Sequence, residues 1–216
     1  MIVKLKDREI NTEKPKYGGY NKLTCEQYCK FRKNCEELGL DKDELDKAHI
    51  ALFYDITFQE LYSLPINVYN DMVANTSSYI NLAVESKYTY YQHKGVFYHL
   101  YLDIDNMKVG HFADIEHIEA QFPNIWDRLP NIVSILLYTE DQLDSNDTLN
   151  YNGSIAMSRV EQVKEFPFSV ILSFHNLYIQ KKKTLQIITQ KYMETVKQLE
   201  MLKGMLINKQ LELKLT

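Results

Sequence analysis

The sequence predicts an α+β protein that is mainly helical, with a small β-hairpin near residues 88–102 and a long C-terminal helix. Three observations indicate this fold class. Apolar residues recur at three- and four-residue spacing along most of the 216 residues. The predicted hairpin segment is instead rich in β-branched and aromatic residues. From Phe168 to about Leu213 there is no proline and only one glycine. We therefore predict a globular unit over 1–180 and an extended helix over 181–216.

The N-terminal part carries one strand pattern and two helix starts. Residues 2–10 alternate apolar and charged side chains, which predicts a strand. Thr24 precedes a helical pattern that ends at Gly39, the usual place for a glycine after a helix. Thr57 or Asp55 caps a second, shorter helix. This half of the chain is therefore predicted to be largely helical.

Two aromatic runs in the middle of the chain predict the hairpin. They are Tyr88–Tyr91 and Val96–Leu102, and residues 92–95 form the turn between them. The most apolar run, residues 131–138, fits either a buried helix or a strand, and Asn131 as a cap favours a helix. Residues 155–166 predict one more helix before Pro167.

The terminal helix divides into two parts. Some 45 helical residues would span roughly 65–70 Å, whereas a compact domain of this size is about 35 Å across. Residues 168–179 are apolar nearly all round and are predicted to be buried. The later part carries a stripe at three–four spacing, with Thr195 at the one polar position. The stripe consists of Leu185, Ile188, Tyr192, Leu199, Leu202 and Leu206. Such a stripe fits a partner helix or self-association, and a helix packed on its own domain gives the same pattern.

Composition and charge argue against two classes of function, nucleic-acid binding and membrane association. The net charge of −4 and the pI near 5.9 argue against nucleic acid as the main ligand, because phosphate binding needs a basic surface. Lys181–Lys183 is one candidate for a local basic patch, and we interpret it as a solvated helix face. No stretch approaches the roughly 18 apolar residues of a membrane span, so no membrane association is expected.

Neither the cysteines nor the histidines match a known metal pattern. Cys25, Cys29 and Cys35 are predicted to be reduced, buried thiols, because an odd count within eleven residues is no disulfide framework. We predict no cofactor, no metal and no catalytic activity. An alternative is a metal-dependent hydrolytic enzyme, which would use the acids and histidines between residues 103 and 117. They are Asp103, Asp105, His111, Asp114 and His117.

These acids and histidines fit structural roles better than a metal site. Asp103 and Asp105 lack the regular ligand spacing and distant Glu of a calcium loop. The helix pattern after His111 places Phe112, with Ile115 and Ile118, toward the core. The histidines and acids are then expected on a solvated face.

The order of several short motifs resembles a known group of proteins. The motifs include Leu23–Tyr28, Tyr54–Thr57, the strand from Tyr98 running into Gly110–Glu116, and the aromatic segment Phe166–Leu177. This order resembles small tailed-phage proteins encoded among tail and virion genes, which include tail and baseplate assembly chaperones. The resemblance is best over residues 88–180. Where that group continues Tyr-Arg-Pro after its apolar helix, this chain has Tyr138-Thr139-Glu140.

The resemblance implies a protein-binding role without catalysis. The expected partners are other phage structural proteins, possibly including a second copy of the chain, in the virion or the host cytoplasm. A nucleic-acid-associated packaging factor remains an alternative through Lys181–Lys183. Besides the stripe of the terminal helix, the hairpin supplies candidate interface residues, because tyrosine combines an apolar ring with a polar tip. These are Tyr90, Tyr91, Phe97 and Tyr101.

Overall fold

The computed structural model describes residues 1–6, 8–82, 88–103, 106–146 and 148–212. Within these ranges, the side chains of 78–82, of 201–212 and of positions 185, 188, 189, 192, 196, 199 and 200 are not described. The fold is α+β and mainly helical, as predicted. In chain order its elements are β1 (Ile2–Lys4), β2 (Glu9–Asn11), α1 (Cys25–Glu37), α2 (Lys42–Tyr54), α3 (Phe58–Ser63), α4 (Ile66–Leu82), β3 (Tyr90–His93), β4 (Val96–Leu100), α5 (Val109–Gln121), α6 (Ile125–Leu136), β5 (Leu137–Tyr138), α7 (Gly153–Ser158), α8 (Val160–Glu165) and α9 (Phe168–Glu212).

Capping boxes begin the first three helices. Thr24, Asp41 and Thr57 each accept a hydrogen bond from the backbone three residues on, and a Gln or Glu side chain there accepts one in return. The predicted single strand over 2–10 is wrong. It is a small hairpin in which β1 pairs antiparallel with β2, because the chain reverses between Leu5 and Arg8.

A three-stranded antiparallel sheet in the order β3-β4-β5 confirms the predicted hairpin and extends it. Lys94 and Gly95 form the turn between β3 and β4, both with positive φ, at 48° and 85°. Two such residues match the right-handed twist of the flanking strands. The third strand, β5, was predicted as the end of a helix.

Helix α6 begins earlier than the sequence indicated. Asn124 caps it by accepting from the backbone N–H of Trp126 at 2.8 Å. The helix then runs through Pro130 without a break. The Asn131 amide donates to the Asp127 carbonyl at 3.0 Å inside the helix, so Asn131 is not a cap. The predicted helix over 155–166 is likewise two short helices, α7 and α8, separated at Arg159.

The core joins the start of α1 to the start of α9. The backbone N–H of Cys25 donates to the Phe166 carbonyl at 2.8 Å, and that of Phe168 donates to Leu23 at 2.8 Å. The Phe168 ring then stacks on Tyr28 at 3.9 Å between centroids. The three cysteines are buried and free, as expected. This junction fixes α9 against the rest of the fold.

The terminal helix was predicted nearly to the residue. No side chain from Phe168 to Ile179 is fully exposed. Lys182, half-buried, then forms an ion pair with Glu119 of α5 at 3.6 Å. From 183 to 198, all described side chains are exposed. The predicted stripe of Leu185, Ile188, Tyr192, Leu199, Leu202 and Leu206 lies outside the described side chains. Across the described part of the chain, we find no helix with the length and apolar character that crossing a membrane requires.

Candidate functional site

The two faces of the sheet carry different side chains. Because side chains alternate along a strand, the pairing of Tyr90 with His99, and of His99 with Tyr138, places all three on one face. On the opposite face, Tyr91 and Tyr98 pack on the Phe166 ring with centroids at 4.9 and 5.2 Å. That second face is covered by α8 and belongs to the core.

The first face, on which Tyr90 and Phe97 are exposed, carries a continuous row of seven rings, here called the aromatic row. Neighbouring centroids along it lie between 3.7 and 6.3 Å apart. In order, the rings are Phe97, Tyr90, His99, Tyr138, Tyr101, His111 and Tyr151. Tyr90 is 55% exposed and Phe97 44%, whereas His111 is 1% exposed. The row therefore begins in solvent at the hairpin and ends inside the protein, beneath α5.

His111 closes the buried end of the row between two tyrosine rings. The Tyr101 ring is nearly parallel to it at 5.3 Å, and the Tyr151 ring lies at 3.7 Å. Neither ring nitrogen of His111 has a hydrogen-bond partner among the described atoms. Burial lowers the pKa of His111 to about 4, because the charged form would lose its hydration. His111 is therefore neutral near pH 7.

His49 provides a contrast within the same protein. Its Nδ1 lies 2.8 Å from the Leu45 carbonyl, and its Nε2 lies 3.0 Å from the Tyr28 hydroxyl. Nδ1 therefore carries the proton and Nε2 accepts from the tyrosine. Both ring nitrogens of His49 thus have hydrogen-bond partners in the core, whereas neither ring nitrogen of His111 has one among the described atoms.

Asp114 and Tyr151 hold the loop before α7 against α5. The Tyr151 hydroxyl donates to Asp114 Oδ2 at 2.5 Å. Burial, and then this bond to the carboxylate, raise the pKa of Tyr151, so it stays protonated. A Cβ on Gly153 would collide with the same Asp114 oxygen, and one on Gly110 would lie 3.2 Å from the Tyr151 ring. Two glycines thus make room for this contact.

Carboxylates flank the aromatic row on its accessible side. Glu140, whose side chain is 81% exposed, lies 3.8 Å from His99 Nε2. Asp103 is exposed beside Tyr101, where burial and then the Asp103 charge raise the tyrosine pKa. At the hairpin tip, the Lys94 ammonium is already paired with Glu165 at 2.6 Å. The surface around the row is therefore acidic and aromatic.

Arg159 is a positioning residue that sequence reasoning missed. It is buried at the joint between α7 and α8, where its Nη1 donates to the Leu137 carbonyl at 2.5 Å. Its Nη2 donates to Gln142 Oε1 at 2.6 Å. Burial lowers its pKa from the usual value. These bonds fix β5, and with it Tyr138 in the row, and no local sequence signal indicated them.

The structure separates the predicted hairpin residues. Tyr90, Phe97 and Tyr101 are members of the aromatic row. Tyr91 lies on the other face against Phe166, where it is half-buried. The row also contains three rings that were not proposed, His99, Tyr138 and Tyr151. Because side chains alternate between the two faces of a strand, the sequence could have placed Tyr91 on the face opposite Tyr90.

The alternative metal cluster is only partly assembled. His111 and Asp114 both contact Tyr151, but His117 is exposed on α5 and Asp103 accepts from Asn106 at 2.9 Å. Asp105 lies outside the described residues. Among the residues described, no three His, Cys, Asp or Glu side chains converge on a possible metal position.

The expected solvated position of His111 is wrong. His111 is buried and Phe112 is 40% exposed, because His111, Ile115 and Ile118 form the inward stripe of α5. Their four- and three-residue spacing fits a helical face as well as the predicted one. His111 was assigned to the solvated face because histidine is polar.

Comparison of the chain with protein families, curated proteins and solved structures gives no match.

Proposed function

We propose that this chain is a non-catalytic assembly protein that works by binding other proteins through its aromatic row and its terminal helix. The observation that carries the proposal is the aromatic face of the β3-β4-β5 sheet, on which Tyr90 and Phe97 are exposed. On most small sheets of this kind such a face is polar, with apolar residues kept for the packed side. Here the packed side and the open side are both aromatic.

Aromatic side chains suit a binding surface. Tyrosine is enriched at the centres of protein interfaces, where it buries a large apolar ring at a low cost in conformational entropy. Tyr90 and Phe97 are exposed, and their rings are 6.2 Å apart. On the other side of the hairpin, His93 pairs with Glu165 and packs on Phe166, and these contacts anchor the hairpin. The face is therefore held in place before a partner arrives.

The terminal helix supports the same role. Its described side chains from 183 to 198 are exposed, so none of these side chains is buried against the globular part. Isolated helices of this kind are only marginally stable in water without a packed face. A partner that covers the apolar positions would stabilise it.

We assign this binding role to a tailed phage, as a virion or tail-assembly protein, on the strength of the sequence motifs given above. The partners would then be other structural proteins of the same particle. Both the virion and the host cytoplasm are places where such a protein would act.

A genetic experiment tests this assignment. The phage carrying Tyr90→Ala and Phe97→Ala is expected to accumulate unassembled particle parts in its lysates, visible by electron microscopy. The matched control carries Glu37→Gln and Asp43→Asn, two exposed residues on α1 and α2, and should assemble normally. Normal particles after deletion of the whole gene would refute the proposal.

A further inference from the structure

Charge is divided unevenly between the two parts of the chain. Residues 1–180 contain 17 Lys and Arg against 26 Asp and Glu, a net charge of −9. Residues 181–216 contain eight Lys against three Glu, a net charge of +5. The overall value of −4 conceals this division. The terminal helix is thus a basic element attached to an acidic body.

Part of the acidic charge of the body lies at the aromatic row, where Glu140 and Asp103 are exposed. Residues 101–150 include ten Asp and Glu but only Lys108 and Arg128 as bases. Glu140 lies beside His99, and Asp114 lies beneath Tyr151. Carboxylates and tyrosine faces together favour lysine side chains, through ion pairs and cation–π contacts.

Like charge argues against pairing between two terminal helices. In the heptad of the stripe, Lys209 falls at a seam position, so two parallel copies would bring two lysines together there. Two tails of charge +5 also repel each other along their length. Tail and body have opposite charges, so contact between them is favoured instead.

One tail-to-body contact of this kind is already visible within the chain. Lys182 Nζ lies 3.6 Å from Glu119 of α5, and the same ammonium lies 5.7 Å from the Tyr178 ring. Farther along, Lys191 and Lys197 are exposed. Thr195, which interrupts the stripe, returns its hydroxyl to the Lys191 carbonyl at 2.9 Å, so it brings no unsatisfied donor to an interface.

We propose that the basic terminal helix of one copy docks on the acidic aromatic row of a second copy. The interface is head-to-tail, so each copy offers both surfaces and assembly continues as a chain or closes as a ring. This inference rests on the proposed function, whose partner it names as a second copy. Other partners on the aromatic row would remain if this one failed.

The test uses charge reversal in the full-length protein, with molar mass measured by light scattering. At about 0.02 M salt the mass of the wild type is expected to rise with concentration, and at about 0.5 M salt it should return to the monomer. The tail variant Lys191→Glu with Lys197→Glu should stay monomeric. So should the body variant Glu140→Lys with Asp141→Lys, because two lysines then replace carboxylates at the place where the basic tail docks.

Mixing the two variants gives the decisive result. The unaltered basic tail of the body variant faces the unaltered acidic body of the tail variant. The two new glutamates of the altered tail likewise face the two new lysines of the altered body, so association should return only in the mixture. Circular dichroism confirms that each variant is folded. A control that reverses Glu37 and Asp43 to lysine, far from the row, should associate like the wild type.

Three outcomes overturn the inference. A wild type that stays monomeric at low salt overturns it, as does association that the body variant does not weaken, which indicates tail-to-tail pairing. Association that nuclease treatment abolishes assigns the tail to nucleic acid instead. None of these outcomes affects the genetic test of the proposed function, which measures particle assembly.

Discussion

A neutral histidine between two tyrosines makes this protein sensitive to acid. His111 is buried against Tyr101 and Tyr151, and the nearest carboxylate, that of Asp114, is engaged by the Tyr151 hydroxyl. Protonation would place a charge in this buried site, where the loss of hydration outweighs the Lys108 carbonyl and the Asp114 charge, which favour the protonated form. Such a charge is costly unless it is paired.

Stability is therefore expected to fall as the pH drops from about 6.5 to about 4. The pKa of His111 is lowered to about 4 in the folded protein. The unfolded chain binds the proton first, near its ordinary pKa, so acid favours unfolding until the folded state is also protonated. The loss is limited to roughly 3 kcal/mol. Urea unfolding at several pH values measures it.

The variant His111→Phe isolates this effect. Phenylalanine keeps the ring between the two tyrosines and removes nitrogens that lack partners, so it should not reduce stability at pH 7. His49 and His175, whose pKa values are also lowered by burial, contribute equally to both proteins. Parallel stability curves for wild type and variant between pH 7 and 4 would contradict this account.

Gly153 is expected to tolerate no side chain. Gly153→Ala places a Cβ against the Asp114 oxygen that accepts from Tyr151. Loss of that buried bond should cost about 1–3 kcal/mol of unfolding free energy. Gly18→Ala is the control, because its Cβ would meet only the Lys22 side chain at 3.6 Å. Equal urea midpoints for the two variants would show that the contact contributes nothing.

At the scale of the elements, local sequence signals decide where the first helices begin. The Thr57 hydroxyl accepts from the Glu60 N–H at 3.1 Å, and the Glu60 carboxylate accepts from the Thr57 N–H at 2.7 Å. Such signals lie within four residues, so the sequence alone indicated Thr24 as one cap and either Thr57 or Asp55 as the next; the structure shows that the second is Thr57.

Removal of this cap should cost about 1 kcal/mol of stability. Thr57→Ala leaves the Glu60 N–H without its acceptor, and measured costs of such losses span about 0.5–2 kcal/mol. Thr57→Ser keeps the hydroxyl and should remain within a few tenths of a kcal/mol of the wild type. Thermal unfolding compares the two. A serine variant as unstable as the alanine variant would argue for methyl packing rather than capping.

The two faces of the hairpin should respond differently to alanine. Tyr91→Ala removes a ring that packs on Phe166 and should cost about 2–4 kcal/mol. Tyr90→Ala, at an exposed position, should cost less than about 1 kcal/mol. Chemical denaturation of both variants measures the difference. A larger loss of stability in Tyr90→Ala than in Tyr91→Ala would contradict the assignment of the Tyr91 face to the core.

Elements defined by distant contacts were harder to predict. The hairpin and α9 followed from the residues themselves, through a glycine turn and an unbroken helical pattern. Strand β5 did not, because Leu137 and Tyr138 are extended by pairing with β4 and by the Arg159 side chain. For the same reason the aromatic row, in which contacting rings lie up to 40 positions apart in the chain, could be predicted only in part.

At the scale of the whole molecule, an acidic body and a basic tail determine how copies meet. Opposite charges speed encounter and fix orientation more than they add affinity. The apolar stripe and the tyrosines would supply the remaining stability. An assembly held in this way should respond to salt, which offers a means to control it in solution.

The most direct test of the proposed binding role is photo-cross-linking in cells that produce the phage particle to which we assign the chain. A photoreactive residue replaces Tyr90 or Ile187, both exposed, and, as a control, Asp43 on α2. The account predicts covalent products with particle proteins, including a second copy of the chain, from positions 90 and 187 but not from 43. Cross-links at all three positions alike, or at none, would contradict it.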